Sequence, residues 1–200
     1  MRKIRIAEHV SLDGVNQPNG PKDNSEYVHG GWTAPYRTPE GAAALAAAYG
    51  KTYDLLLGRR TYDLWSGFWP KIKGGPFADG LNAATKYVAT HRPESLEWGP
   101  VGDLGADVME GIRRLKSQDG PDLVVCGSGT LASALLEQGL VDELVLAVYP
   151  VVLGPGKRWF ADGASLREFE LVSSKATPTG VLLNIYRLIP QGQPGERKPA

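Results

Sequence analysis

Apolar residues along this chain occur in two patterns: short unbroken runs, and runs in which they recur every third or fourth position. Residues 53–57 and 123–126 are unbroken, the pattern of strands covered on both faces, usually in a parallel sheet flanked by helices. Residues 2–10 alternate, with Ile4 and Ile6 on one face and Lys3 and Arg5 on the other, and lead into the loop Ser11-Leu12-Asp13-Gly14. Further strands are predicted over 86–90 and 144–149, and a weaker one over 98–104. Residues 168–175 and 181–188, joined across Thr177-Pro178-Thr179-Gly180, read as a final antiparallel hairpin. Between strands lie helical signals. Thr38 is an N-cap, Pro39 starts the first turn, Glu40 sits near its positive end, and Gly50 stops an alanine-rich helix. Others begin at Gly58-Arg59-Arg60-Thr61, span 77–84, carry Val108, Ile112 and Leu115 on one face, and run from Gly129 to Gln138. Leu64, Trp65, Phe68 and Trp69 read as an aromatic side of the core.

Composition adds bounds rather than chemistry. The 200 residues, 42% hydrophobic and 22% charged, suit one domain over 1–188, followed by a Pro, Gly and charge-rich tail over 189–200 expected to be disordered. Formal charge is zero, so no basic field points to nucleic acid or to a membrane surface. The single cysteine, Cys126, lies in an apolar strand and reads as a small core residue in a reducing compartment. Arg5, Glu8 and His9 break any leader-like apolar stretch, so the expected location is the cytoplasm. His29 and His91 have no ligand spacing with Cys126 or each other, and no metal is expected.

The chemistry gathers where strands turn into helices. Gly127-x-Gly129-x-x-Ala132 lets the chain turn sharply and bring the unpaired N–H groups of a helix start toward an anion. The acid that holds a ribose in NAD domains, about 20 positions on, is missing; the next strand carries Asp142 and Glu143 at its start instead. Gly58-Arg59-Arg60-Thr61 and Thr90-His91-Arg92 end two more strands. One extended ligand with several phosphates satisfies all three loops, and the arginines suit the 2′-phosphate of NADP. Gly156-Lys157 is no Walker loop, since Val151 and Arg158 stand where glycine and Ser or Thr belong. Asp13 is the first candidate for handling a proton or orienting a substrate, with Glu8 and His9 second; Asp before Gly is equally ordinary turn chemistry. The long loop 15–38 contributes Trp32 and Tyr36.

The order of these pieces resembles the dihydrofolate reductase fold, and most closely the reductase half of the bifunctional riboflavin-biosynthesis deaminase/reductase. The matching pieces are Ser11-Leu12-Asp13-Gly14, Leu55-Leu56-Leu57-Gly58-Arg59-Arg60-Thr61-Tyr62, Val125-Cys126-Gly127-Ser128-Gly129-Thr130-Leu131 and Pro150-Val151-Val152-Leu153-Gly154-Pro155-Gly156, within residues 2–188. The resemblance implies a three-layer α/β fold: a mostly parallel central sheet, helices on both faces and a C-terminal antiparallel hairpin. It implies an NADPH-dependent reductase acting on a pteridine-like or pyrimidine-sugar heterocycle. Gly58, Arg59, Arg60, Thr61 and Thr90, His91, Arg92 would hold the adenosine side, and Gly127, Ser128, Gly129, Thr130 and Leu131 the pyrophosphate. Asp13 would serve catalysis, and Glu8, Trp32, Tyr36 and Gly154 the substrate. A homodimer is expected. The first helix carries only Glu40, at its very start, where folate enzymes hold the pterin, which speaks against folate itself as substrate; the zinc deaminase half needs a His/Cys set that this chain lacks, so a stand-alone reductase domain is expected. The competing readings are a nucleotide-binding regulatory module without turnover and a homodimeric scaffold with vestigial loops.

Overall fold

A computed structural model describes residues 1–17, 27–160 and 165–190. The central stretch of the long loop, residues 18–26, and residues 191–200 of the expected tail lie outside the described residues. The strands hydrogen-bond in the order β4-β3-β2-β5-β1-β6-β8-β7, and the chain clusters into two compact units, residues 1–7 with 42–141 and residues 8–41 with 142–200. Strand β1 (Ile4–Ser11) belongs to both, crossing at Ala7 and Glu8.

In the first unit β1 lies beside β5 (Asp122–Cys126), β5 beside β2 (Tyr53–Gly58), β2 beside β3 (Lys86–Ala89), and β3 beside β4 (Val101–Gly102), all parallel. The unbroken apolar runs are its core: Leu55, Leu56, Leu57, Leu123, Val124 and Val125 are wholly buried. Each such side chain contributes about 1.5–3 kcal/mol relative to exposure. The helices follow the expected order. They are α1 (Pro39–Tyr49), which enters this unit at Ala42, α2 (Arg59–Ser66), α3 (Pro76–Ala83), α4 (Val108–Ser117) and α5 (Gly129–Glu137). Thr38 caps α1 as expected, accepting from the Gly41 amide at 3.0 Å.

Three features depart from the sequence reading. Only two of the residues over 98–104 form a strand: Pro100 has no N–H to donate, and Gly102 passes so close to Tyr87 that a Cβ there would meet its ring at 2.1 Å. Trp65, Phe68 and Trp69 are half-buried and Leu64 is exposed, so these residues border the core rather than fill it, with Trp69 packed against Phe77. Three charged residues of this unit turn inward: Arg2 pairs with Asp54, and Lys86 donates to the carbonyls of Asn82 (2.6 Å) and Gly99 (3.0 Å) beneath the Trp98 ring. Burial alone lowers the Lys86 pKa to about 8.

In the second unit β8 (Leu182–Leu188) pairs antiparallel with both β6 (Glu143–Tyr149) and β7 (Phe169–Ala176). The expected hairpin is therefore present, and β7 is its exposed edge. Two loops close this unit: the exit from β1 and residues 150–160.

Candidate functional site

In the first unit the carboxyl ends of β3, β2 and β5 are neighbours, because the three strands are parallel and adjacent. The turns after β2 and β5 are fastened through one hydroxyl. Ser128 Oγ accepts from the Gly58 amide at 2.7 Å, and its own proton has two acceptors, Thr61 Oγ1 at 3.0 Å and the Cys126 carbonyl at 3.1 Å. The Ser128 amide donates to Thr61 Oγ1 at 3.1 Å. This fastening holds Ser128 in the left-handed region, φ 55°, at a cost of roughly 1–2 kcal/mol for a non-glycine residue. Gly127 shares that region at φ 57°, and a Cβ on it would meet Thr61 Oγ1 at 3.0 Å.

The fastening has an electrostatic consequence. Ser128 stands at the N-cap of α5, where serine ordinarily accepts from a first-turn amide, yet its hydroxyl is turned toward Gly58 and Thr61 and makes no capping bond. The start of α2, capped by Gly58, likewise has no side-chain cap, and neither helix carries an acid in its first turn. The other helices differ: α1 has Thr38 and Glu40, α3 has Asp79, and α4 has Asp107 accepting from the Glu110 amide at 3.0 Å. So the two helices that follow adjacent strand ends keep the positive end of their dipole uncompensated by the chain.

Arginines surround these starts. Arg59 donates to Asp63 (2.8 Å), to Ser95 Oγ (2.6 Å) and to the Arg92 carbonyl (3.3 Å), and so clasps the loop after β3. Thr90 Oγ1 accepts from the Arg92 amide at 3.1 Å, which shapes the same loop. The side chains of Arg60, His91 and Arg92 are exposed. Of the residues expected to meet a nucleotide, Gly58, Thr61 and Ser128 are therefore spent on one another. Leu131 turns its side chain into the core, leaving only its backbone for a ligand. At Gly129 a Cβ would meet nothing within 4 Å and the φ is ordinary, so no internal contact requires glycine there; in this turn that requirement falls on Gly127.

The second unit carries the expected substrate-side residues. Asp13 accepts from Ser11 Oγ at 2.6 Å and from the amides of Leu153 and Gly154 at 3.1 and 2.8 Å. The Ser11 hydroxyl, then those amides, hold its carboxyl down at about 2. Leu12 donates to the Val151 carbonyl, and Trp159 to the Gly14 carbonyl, so two of the motifs, Ser11 to Gly14 and Pro150 to Gly156, form one laced joint. Both Asp13 oxygens are thus occupied by donors from the joint itself. Gly154 takes part through its amide.

Trp32 and Tyr36 converge on a residue the sequence reading missed. Both stack edge-on against Tyr149, with centroids at 5.0 and 5.5 Å, and the Tyr149 hydroxyl lies 2.7 Å from His9 Nδ1. Burial, then the nearby charge of Arg37, lowers His9 to about 4, and burial pushes Tyr149 up to about 12. The available signal was the place of Tyr149 at the carboxyl end of β6, just before Pro150. Successive strand side chains point to opposite faces, so Glu8 lies opposite His9, on the face of Ile4 and Ile6. Its side chain is buried, bonds to Asn16, and leaves Oε1 with no partner; desolvation raises its pKa well above the usual carboxylate range. Among the described residues no group of three His, Cys, Asp or Glu stands ready to hold a metal ion, and no helix is long and apolar enough to cross a membrane.

The sheet, parallel over β4-β3-β2-β5-β1 with antiparallel strands β6-β8-β7 at its C-terminal end and helices between strands, has the reductase-like α/β fold. The chain belongs to the family of the RibD C-terminal domain, whose model matches residues 2–183. It is 28% identical over 136 residues to the uncharacterized protein YyaP of Bacillus subtilis (strain 168), covering 66% of this chain and 72% of YyaP. It is 26% identical over 187 residues to the uncharacterized protein YwjB of the same organism, covering 93% of this chain and 98% of YwjB. Two solved structures share the fold. A protein of Shewanella sp. PV-4, provisionally assigned to riboflavin biosynthesis, superposes with TM-score 0.69 at 19% identity over 94% of this chain and 99% of its own. A pyrimidine reductase-like protein of Corynebacterium diphtheriae gives TM-score 0.61 at 14% identity, over 94% and 92%.

Proposed function

We propose that this protein is an NADPH-dependent reductase of a small heterocyclic substrate. The observation that carries the reading is the diverted Ser128 hydroxyl: the chain spends its natural cap on fastening two turns and leaves two adjacent helix starts without a built-in anion. That donor set fits a dinucleotide. NADPH, when bound, supplies a hydride at its nicotinamide carbon. The first turn of α5, at Gly129, Thr130 and Leu131, would take the pyrophosphate through backbone amides, while Arg60 and Arg92, with Arg59 shaping the loop, would take the 2′-phosphate. Membership of the RibD C-terminal domain family, together with the fold shared with a pyrimidine reductase-like protein, favours reduction over mere binding.

Melting temperature with NADPH and then NADH tests the cofactor. NADPH at about 100 times its dissociation constant should stabilise the fold by about 2.7 kcal/mol, with a smaller shift from equimolar NADH. No shift with either nucleotide overturns the reading. A shift without loss of NADPH absorbance across pteridine and flavin-precursor substrates favours a regulatory module.

A further inference from the structure

We propose that Tyr149 sets the tautomer of His9, so that the His9 ring offers a single uncharged Nε2–H donor to a carbonyl oxygen of a ligand held by the second unit. The ligand class, an uncharged heterocycle with a ring carbonyl, rests on the reductase reading. The tautomer rests on the second unit alone, to which every residue used belongs.

Tyr149 is buried, and among the described residues its hydroxyl has one partner, His9 Nδ1 at 2.7 Å. A buried O–H whose proton finds no acceptor bears the full cost of desolvation, so the phenol donates and Nδ1 accepts. A ring nitrogen that accepts carries no proton, which leaves the proton of the neutral imidazole on Nε2. A cationic ring would need a proton on Nδ1 as well. It would orphan the phenol, in a buried setting and near the positive charge of Arg37, and these two influences, burial first, hold His9 at about 4. Glu8, the next charged neighbour along the strand, lies on the opposite face.

The support behind this pair is layered. Trp32 and Tyr36 meet the Tyr149 ring edge-on at 5.0 and 5.5 Å and fix its plane. Trp32 is anchored in turn by its indole N–H, which donates to the Gln17 carbonyl at 3.0 Å, and the Tyr36 carbonyl accepts from Thr179 Oγ1 at 2.9 Å. Yet His9 itself is only half-buried, and Nε2 has no hydrogen-bond partner among the described residues. His9 stands near the carboxyl end of β1 and Tyr149 is the last residue of β6, the end of an α/β sheet at which ligands are met. Packed side chains behind one open donor are how a site fixes a polar contact in advance.

A neutral N–H also selects its partner. It needs a lone pair and offers none, so it favours a carbonyl oxygen over an amine or ammonium group at the same place. No proton is transferred in this contact. His9 sets specificity, and Tyr149, which acts through it, is a positioning residue.

The test uses the full chain with isotope-labelled histidine, and lumazine, an uncharged dione just below neutral pH, as the probe. Each variant is first verified as folded by circular dichroism, and the His9 signals are those missing from His9→Gln. Two-bond proton–nitrogen spectra of the parent should show Nδ1 bare and Nε2 protonated. In Tyr149→Phe both signals should move toward the average of exchanging tautomers, and lumazine should bind about twofold more weakly as the donor form becomes a fraction of the whole. Lumazine should shift the Nε2–H signal of the parent. His9→Gln, whose amide restores a donor near that place, should bind it within about threefold of the parent, and His9→Leu about fivefold to tenfold more weakly, the range of one net hydrogen bond. A parent with its proton on Nδ1, an imidazolium at neutral pH, or an unchanged tautomer in Tyr149→Phe overturns the tautomer assignment. Failure of the parent to bind lumazine, binding that leaves Nε2 unmoved, or full affinity in His9→Leu overturns the ligand contact. A parent that makes this contact but shows no melting shift with NADPH sinks the reductase reading and leaves the contact in place.

Discussion

Two Gly-x-Gly segments, Gly127-Ser128-Gly129 and Gly154-Pro155-Gly156, look alike in sequence and have opposite fates. After β5, the segment's hydroxyl is drawn away to Gly58 and Thr61, and the helix start that follows keeps its positive end open. After β6, the Gly154 amide and its neighbour Leu153 are already occupied by the Asp13 carboxylate. The first leaves its helix start without a built-in anion; the second carries its own. A glycine-rich loop therefore says little about phosphate until the partners of its amides are known, because one carboxylate from elsewhere in the chain converts a ligand site into a structural joint.

The largest effect should come from Gly127→Val. A left-handed residue costs about 1–2 kcal/mol, and forcing a side chain onto Thr61 adds roughly another 1–3 kcal/mol, so urea unfolding should show a loss of about 3 kcal/mol. A loss under about 1 kcal/mol would mean that the turn relaxes and that its shape is not fixed by Thr61.

Next comes Asp13→Ala, which orphans two amides and a hydroxyl; at roughly 1.5–3 kcal/mol for a charged hydrogen bond, a net loss of about 2 kcal/mol is expected after solvent replaces part of it. The pH dependence gives the sign. The folded pKa of Asp13 lies at about 2, below its ordinary 3.8, so its stabilisation is full above 3.8 and is lost as pH falls toward 2. Acid titration of stability should be flatter in Asp13→Asn over that window; an identical acid limb would remove the built-in anion from the comparison.

Arg92→Ala should weaken NADPH binding about tenfold, roughly 1.4 kcal/mol, and leave NADH nearly unchanged, since only the former carries a 2′-phosphate. Arg59→Ala should behave differently. Because Arg59 clasps the loop at Arg92 and Ser95, its loss should weaken both nucleotides. Equal responses of the two cofactors to Arg92→Ala would relocate that arginine to the pyrophosphate.

The smallest effect on stability belongs to Gly129→Val, where a side chain meets no neighbour: unfolding free energy should stay within about 0.5 kcal/mol of the parent, as for surface substitutions generally. Nucleotide affinity should nevertheless fall at least tenfold by tryptophan fluorescence. Retained affinity would show that the ligand does not approach this amide.

The buried strands and the order of elements were legible in the sequence because burial on both faces leaves an unbroken apolar run, as in Leu55-Leu56-Leu57 and Leu123-Val124-Val125, and such a run needs no partner to be recognised. Thr38-Pro39-Glu40 was legible for a similar reason: a cap acts on amides two and three residues away. The residue order also singled out Ser128, Asp13, Glu8 and His9, but their roles came from contacts across great sequence distance. Ser128 meets Gly58 and Thr61, 70 and 67 residues away; Asp13 meets Leu153 and Gly154 at 140 and 141; His9 meets Tyr149 at 140. Whether a hydroxyl caps or fastens, and whether a carboxyl is ionised or neutral, depends on which donors the fold brings within about 3 Å and how much water it removes. Local pattern determined the elements; long-range contact alone decided that Asp13 holds a loop and that Glu8 is buried with Oε1 unpartnered.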